Sequence, residues 1–195
     1  ATGFLGRENS QAFEAMLMAE SEQPYCRRIN LQFFQVPGST RENVTVLDAS
    51  SGVETHIRDQ GPEIPERELV RLKRKLDLMS RPGSLVVFGG GLPPGISGEQ
   101  FAQIVHICSS AGARLAVDSS AEALAAIREE NLFLVKPNRQ ELAELLGQDV
   151  GGDRRELIAA GMELAGRFEY VLISLGAEGG LAFHHGQAVA GHVDI

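Results

Sequence analysis

At 195 residues, 43% hydrophobic and 23% charged, the chain is long enough for one domain with a sizeable core and too evenly mixed for disorder. A net charge of −8 with no stripe of Lys or Arg argues against a nucleic-acid partner. Residues 1–20 carry no signal pattern, no apolar run has the length of a membrane span, and Cys26 and Cys108 are too far apart for a disulfide framework or zinc motif. The expectation is a cytoplasmic protein that binds no membrane.

In chain order, Phe13, Met16 and Leu17 mark a short helix. Ile29–Val36, Asn43–Leu47 and Thr55–Arg58 read as strands with turns at Pro37-Gly38 and Ser51-Gly52, which predicts a small antiparallel sheet. Leu69, Leu72, Leu76 and Met79 then mark a helix with a basic outer face.

From Leu85 the pattern changes to short apolar runs alternating with helical periods, the signature of a parallel sheet with crossover helices. Strands are predicted at Leu85–Phe88, Leu115–Val117, Leu132–Val135 and Tyr170–Ser174. Phe101, Ile104, Val105 and Cys108 define the core face of the first helix, with Ser97 and Gln100 as its capping box and Gly112 as its stop. Further helices follow Ser120, start at Asn138, and run from Asp153, paired with Glu156, to Gly166. Right-handed crossovers would place these helices on both faces of the sheet, an α/β/α sandwich.

Ligands of such sheets bind beyond the carboxyl ends of the strands. Here those ends lead into Gly89-Gly90-Gly91, Asp118-Ser119-Ser120, Lys136-Pro137-Asn138 and Ser174-Leu175-Gly176. Glycines let backbone N–H groups approach an anion; any one such loop is more often just a tight turn, but four on one sheet edge point to a phosphate-bearing ligand. Pro94 stands in the way of a dinucleotide fingerprint, which makes an NAD-dependent oxidoreductase the weaker reading. Lys136 is the only lysine outside the helix that holds Lys73 and Lys75, and a lone lysine at a strand end serves as a point charge for phosphate or carboxylate. Asn138 and Glu141 have capping-box spacing, which fits either a cap or a ligand site. Arg41, beside the Pro37-Gly38 turn, is either solvated or a phosphate grip. His184 and His185 read as surface residues, and Cys108 as core.

Taken together, Gly90-Gly-Leu-Pro-Pro-Gly95, Asp118-Ser-Ser-Ala-Glu-Ala-Leu124, Val135-Lys-Pro-Asn-Arg-Gln-Glu-Leu142 and Ile173-Ser-Leu-Gly-Ala-Glu-Gly179 resemble, in order, the motifs of the PfkB (ribokinase-like) carbohydrate kinases. Gly3-Phe-Leu-Gly6 and Thr40-Arg-Glu-Asn-Val44 extend the resemblance over nearly the whole chain. It is strongest to the phosphofructokinase and tagatose-6-phosphate kinase branch and, in the opening Thr2–Gly6, to 1-phosphofructokinases. The resemblance implies a three-layer ribokinase-like α/β/α sandwich with a mostly parallel sheet and a small antiparallel β lid, incomplete at both ends. Residues 1–195 would be one partial domain, with 24–60 as the lid segment and 61–195 as the nucleotide-binding core.

It further implies ATP-dependent transfer to a ketohexose phosphate, fructose 1-phosphate above others, with Mg²⁺ as cofactor and dimerisation through the lid. Lys136 and Asn138 would contact nucleotide phosphates, Ser174, Gly176 and Gly179 would line the nucleotide pocket, and Glu141 would hold Mg²⁺ through water. Arg41 and Asn43 would meet the phosphate already on the sugar, with Gly90 and Gly91 facing the sugar itself. Gly91 stands where the family usually has Ser, and the catalytic aspartate is expected beyond Ile195, so the chain alone is expected to be inactive. A non-catalytic nucleotide or sugar-phosphate sensor on the same fold is the alternative.

Overall fold

The chain opens on a strand that its sequence conceals. In the computed structural model, which describes residues 1–21, 29–151 and 153–192, β1 (Thr2–Gly6) runs parallel to β2 (Gln32–Val36), with Thr2 opposite Gln32. Gly3 and Gly6 weaken the strand signal. Yet a Cβ at Gly6 would fall 2.2 Å from the Thr40 backbone nitrogen, so the close approach needs glycine. The expectation that Ile29–Val36 joins an antiparallel sheet is thereby corrected: helix α1 (Ser10–Ser21) makes a parallel crossover between the two strands. Cys26 and the start of the expected lid segment, 24–28, lie outside the described residues.

The expected hairpin forms from β3 (Asn43–Asp48) and β4 (Val53–Arg58), with Asn43 opposite Arg58 and Asp48 opposite Val53. Strand alternation sorts its side chains into two faces. Val44, Val46, Val53 and Ile57 share one face, each more than half exposed, while Asn43, Thr45, His56 and Arg58 share the other. At the tip, Asp48 accepts hydrogen bonds from the hydroxyls of Ser50 and Ser51 and from the Ser50 N–H. The Ser50 hydroxyl foremost, then that of Ser51, holds its carboxyl well below the usual carboxylate range. A depressed folded-state pKa means that this support is complete above the ordinary pKa of 3.8 and is lost as pH falls further. Amide hydrogen exchange of β3 and β4 is therefore expected to accelerate below about pH 4, and Asp48→Asn to remove that pH dependence.

These elements belong to one compact unit, 1–74 with 93–96, and the second unit comprises 75–92 and the chain from 97 onward. Helix α2 (Glu66–Met79) buries Leu69, Leu72 and Leu76, but Met79 is 53% exposed, so the expected apolar stripe ends a turn early.

The second unit is built on a six-stranded sheet. Strands β5 (Leu85–Gly89), β6 (Arg114–Asp118), β7 (Leu134–Val135) and β8 (Tyr170–Ser174) are parallel and adjacent in chain order, and β9 (Gly180–His184) and β10 (Gln187–Gly191) extend it antiparallel. The third strand is shorter than the predicted 132–135. Four helices connect these strands: α3 (Gly98–Ser110), α4 (Ala121–Ala126), α5 (Arg139–Leu146) and α6 (Arg154–Ala165). The Ser97–Gln100 capping box forms as expected, and Phe101, Ile104, Val105 and Cys108 are buried. Burial pushes the Cys108 thiol above its ordinary pKa, as befits a core residue. The Asp153 side chain accepts from the Arg155 N–H rather than pairing with Glu156 as expected.

Sequential strand order has a topological consequence. Right-handed crossovers that always step in one direction deliver their helices to the same face, and α3 packs on α4, α4 on α5, and α5 on α6. The expected distribution of these helices over two faces is corrected for this unit. Val117, Val135, Val171 and Phe183 line up across four strands and are all buried. Phe183 lies against Gly161 of α6, which identifies this row as the helix-covered face. Among the described residues no helix is long and apolar enough to cross a membrane.

Candidate functional site

The carboxyl ends of β5 to β8 are stitched into one rim. Gly90 donates its N–H to the Asp118 carbonyl at 2.9 Å, and the buried Ser119 hydroxyl donates to the Gly90 carbonyl at 2.5 Å. Lys136 N–H bonds the Val117 carbonyl at 3.0 Å, and Ser174 N–H bonds the Pro137 carbonyl at 3.1 Å. Asn138 and Ser174 form a further parallel bridge. Each strand end therefore fixes the position of the next.

Lys136 emerges from this rim with its Nζ 2.9 Å from Asp118 Oδ1. Lysine and aspartate side chains remain 36% and 52% exposed, so the pair is solvated and its net worth small. Beside it lies an open hollow of about 600 Å³. Lys136, Ser174, Gly176 and Gly179 line it, over a floor that includes Leu172, Ala182 and Val189. The register explains that floor: Leu172 pairs with Ala182, and Ala182 with Val189, so the three side chains share one face. Gly176–Glu178 form a single 3-10 turn, with Gly176 at φ +58° and Gly179 at φ +87°. Gly179 has a second reason to be glycine, because a Cβ there would meet the Gly191 carbonyl at 2.1 Å. A cation above an apolar floor, ringed by small residues, can hold an anionic group attached to a flat apolar one.

Asn138 and Glu141 sit next to the hollow without lining it. They form the reciprocal cap of α5: Asn138 Oδ1 accepts the Glu141 N–H at 2.9 Å, and Glu141 Oε2 accepts the Asn138 N–H at 2.8 Å. The cap leaves the Asn138 side-chain amide and the other Glu141 oxygen outside it. Arg139 reaches Glu178 at 3.5 Å, which ties the start of α5 to the 3-10 turn.

Gly90 and Gly91 are exposed in the loop after β5. Arg41 and Asn43 belong to the other unit. There the Thr40 N–H donates to Asn9 Oδ1 at 2.7 Å, Asn9 Nδ2 donates to the Thr40 carbonyl at 3.0 Å, and Gly6 N–H donates to the Thr40 hydroxyl at 2.8 Å. This anchors the backbone just before Arg41. The structure thus brings Lys136, Ser174, Gly176 and Gly179 around one hollow, sets Asn138 and Glu141 at its margin, and places Arg41 and Asn43 on the hairpin unit.

Two features escape sequence reasoning. Asp118 is visible only as a polar strand end, and its partnership with Lys136 depends on β6 and β7 being neighbours. The apolar floor depends on β8–β9–β10 register, which has no local signature.

Comparison with known proteins finds the sequence profile described as pfkB family carbohydrate kinase matching residues 2–193. The chain is 32% identical over 188 residues to a tagatose-6-phosphate kinase of Staphylococcus epidermidis, covering 95% of this chain and 58% of that protein. It is 34% identical over 186 residues to a 1-phosphofructokinase of Xanthomonas campestris, covering 93% and 56%. Phosphofructokinase-2 from Escherichia coli, crystallised with fructose-6-phosphate, superposes with a TM-score of 0.85 at 27% identity, over 98% of this chain and 61% of that one. The chain therefore spans less than two thirds of the length of each.

Proposed function

This chain belongs to the pfkB family of carbohydrate kinases, and from that membership we propose that it supplies the nucleotide-binding part of an ATP-dependent sugar-phosphate kinase. The acceptor in this reading is a ketohexose phosphate, with fructose 1-phosphate converted to fructose 1,6-bisphosphate. The observation that carries the reading is the gathering of Lys136, Ser174, Gly176 and Gly179 around one hollow at the strand ends. That is where an open α/β sheet binds its ligand.

In this account 61–195 forms the nucleotide-binding core and the hairpin in 24–60 acts as a lid. Lys136 would place a point charge on the nucleotide phosphates, held ready by Asp118. Ser174, Gly176 and Gly179 would supply small, close-approaching backbone around the same ligand. Asn138 would turn its uncommitted amide to a phosphate oxygen while still capping α5. Arg41 and Asn43 would take the phosphate that the sugar already carries, and Gly90 and Gly91 would face the sugar. The exposed apolar face of the hairpin, with Val44, Val46, Val53 and Ile57, supports pairing of two copies through the lid. A cytoplasmic setting belongs to the same proposal.

Mg²⁺ fits the donor set at this rim, because that ion keeps most of its water and needs only one or two carboxylates besides phosphate oxygens. Glu141, with one oxygen outside the cap, would hold it through water. When bound, the ion neutralises charge on the phosphates. The residues' own task is positioning and electrostatic stabilisation, which dominate phosphoryl transfer.

In the reaction a sugar hydroxyl oxygen bonds to the γ-phosphorus, the bond from that phosphorus to the β-bridging oxygen breaks, and the hydroxyl proton passes to a carboxylate. In this reading that carboxylate is an aspartate expected after Ile195. In an ADP-release assay with fructose 1-phosphate and MgATP, the 195-residue chain is therefore expected to turn over about 10²- to 10⁴-fold more slowly than an enzyme with its base in place. Brisk turnover would show that the chain already contains its base.

A further inference from the structure

The polar face of the hairpin carries a cation, Arg58, that lies outside the motif Thr40–Val44. Arg58 ends β4 directly opposite Asn43, the first residue of β3, and strand pairing puts both side chains on the same face. Arg41 stands two residues before Asn43. Past Arg58 the chain stays beside it: Gly61, at φ +79°, lies so close that a Cβ there would come within 3.2 Å of the Arg41 Cβ. The base of the hairpin thus carries two guanidiniums and an amide within a few residues of one another.

Of the carboxylates close in sequence to these arginines, Glu42, Glu54 and Asp59 each have another partner. Glu42 accepts from Asn9 Nδ2 at 3.1 Å, Glu54 pairs with His56 at 3.6 Å, and Asp59 accepts the Gly61 N–H at 3.3 Å. Neither Arg41 nor Arg58 enters an ion pair among the described residues. In a chain of net charge −8, two exposed guanidiniums without an ion-pair partner among the described residues, beside an amide donor, are matched to a dianion.

We propose that Arg58 is a second phosphate-gripping residue, acting with Arg41 and Asn43 to bind the phosphate that the sugar substrate carries. Planar guanidinium forks on both sides would take two edges of one phosphate, with the Asn43 amide donating between them. The inference rests on the reading that this hairpin meets a sugar phosphate. It makes the hairpin selective for phosphorylated sugars over free ones through two charges rather than one.

The test is an amide NMR titration of the 195-residue chain with fructose 1-phosphate, inorganic phosphate and unphosphorylated fructose. Fructose 1-phosphate and phosphate are expected to shift Asn43, Arg58 and the Arg58 Nε–H together, and fructose to leave them still. Arg58→Gln is expected to weaken fructose 1-phosphate binding about tenfold, with Arg58→Lys recovering part of the loss. If Arg58→Gln disturbs the hairpin amides, the Arg58 Nε–H resonance of the unaltered chain decides by itself. Movement in step with the hairpin supports the proposal. Undiminished binding by Arg58→Gln, a stationary Nε–H, or no binding of fructose 1-phosphate overturns it. Nucleotide binding through Lys136 is measured separately, so loss of this grip and loss of the kinase reading are distinguishable.

Discussion

Truncation of Phe183 to alanine is expected to cost about 3–5 kcal/mol, a large share of the 5–15 kcal/mol that holds an ordinary domain together. The ring is 1% exposed, faces Val171 across the β8–β9 ladder, and rests on α6 where Gly161 leaves room for it. A Cβ at Gly161 would lie 2.3 Å from the ring's Cζ, closer than any real contact. Gly161→Ala therefore sets two effects against each other. Alanine gains about 1 kcal/mol of helix propensity over glycine, while forcing the ring aside costs about 1–3 kcal/mol. The clash is expected to win. In a Phe183→Leu background the clash is relieved, and Gly161→Ala should become neutral or stabilising. Urea denaturation of the four proteins measures this sign reversal directly, and additive effects would contradict the packing described.

Lys136→Ala is expected to weaken MgATP binding about 10- to 100-fold, the worth of a charge-assisted hydrogen bond to phosphate. Removing the lysine has a second consequence, because Asp118 then faces the phosphates unpaired from its 2.9 Å partner. The double variant Asp118→Asn/Lys136→Ala should consequently bind more tightly than Lys136→Ala alone. Because Lys136 is 36% exposed, the lysine's contribution should shrink as salt is raised. Isothermal titration of the unaltered chain and the two variants at two ionic strengths checks all of this. Equal affinity for Lys136→Ala and the unaltered chain would remove the lysine from the site.

Local chemistry was the part of this molecule most legible in its sequence. The Ser97–Gln100 and Asn138–Glu141 spacings predict capping boxes, and both are formed, because a cap is decided within four residues. The apolar run Tyr170–Ser174 and the periodic Phe101, Ile104, Val105 and Cys108 announce a strand and a buried helix face for the same reason. Strand β1 was hidden by Gly3 and Gly6, and the value of Gly6 lies in its proximity to the Ser39–Thr40 backbone, more than thirty residues away. The partner of β2, the single face shared by α3 to α6, and the Leu172–Ala182–Val189 floor all follow from strand order and register. Those are set by the whole assembly, and no window of the sequence contains them. At the candidate site, the strand ends singled out in the sequence lie side by side on one rim, but the Asp118–Lys136 pairing required knowing that β6 and β7 are neighbours.

A crystal structure of the chain with Mg²⁺ and a non-hydrolysable ATP analogue addresses the central claim most directly. The phosphates are predicted to lie within hydrogen-bond reach of Lys136 Nζ, at the mouth of the hollow bounded by Ser174, Gly176 and Gly179. An analogue bound elsewhere on the chain, with Lys136 still paired to Asp118 and the hollow empty, would contradict it.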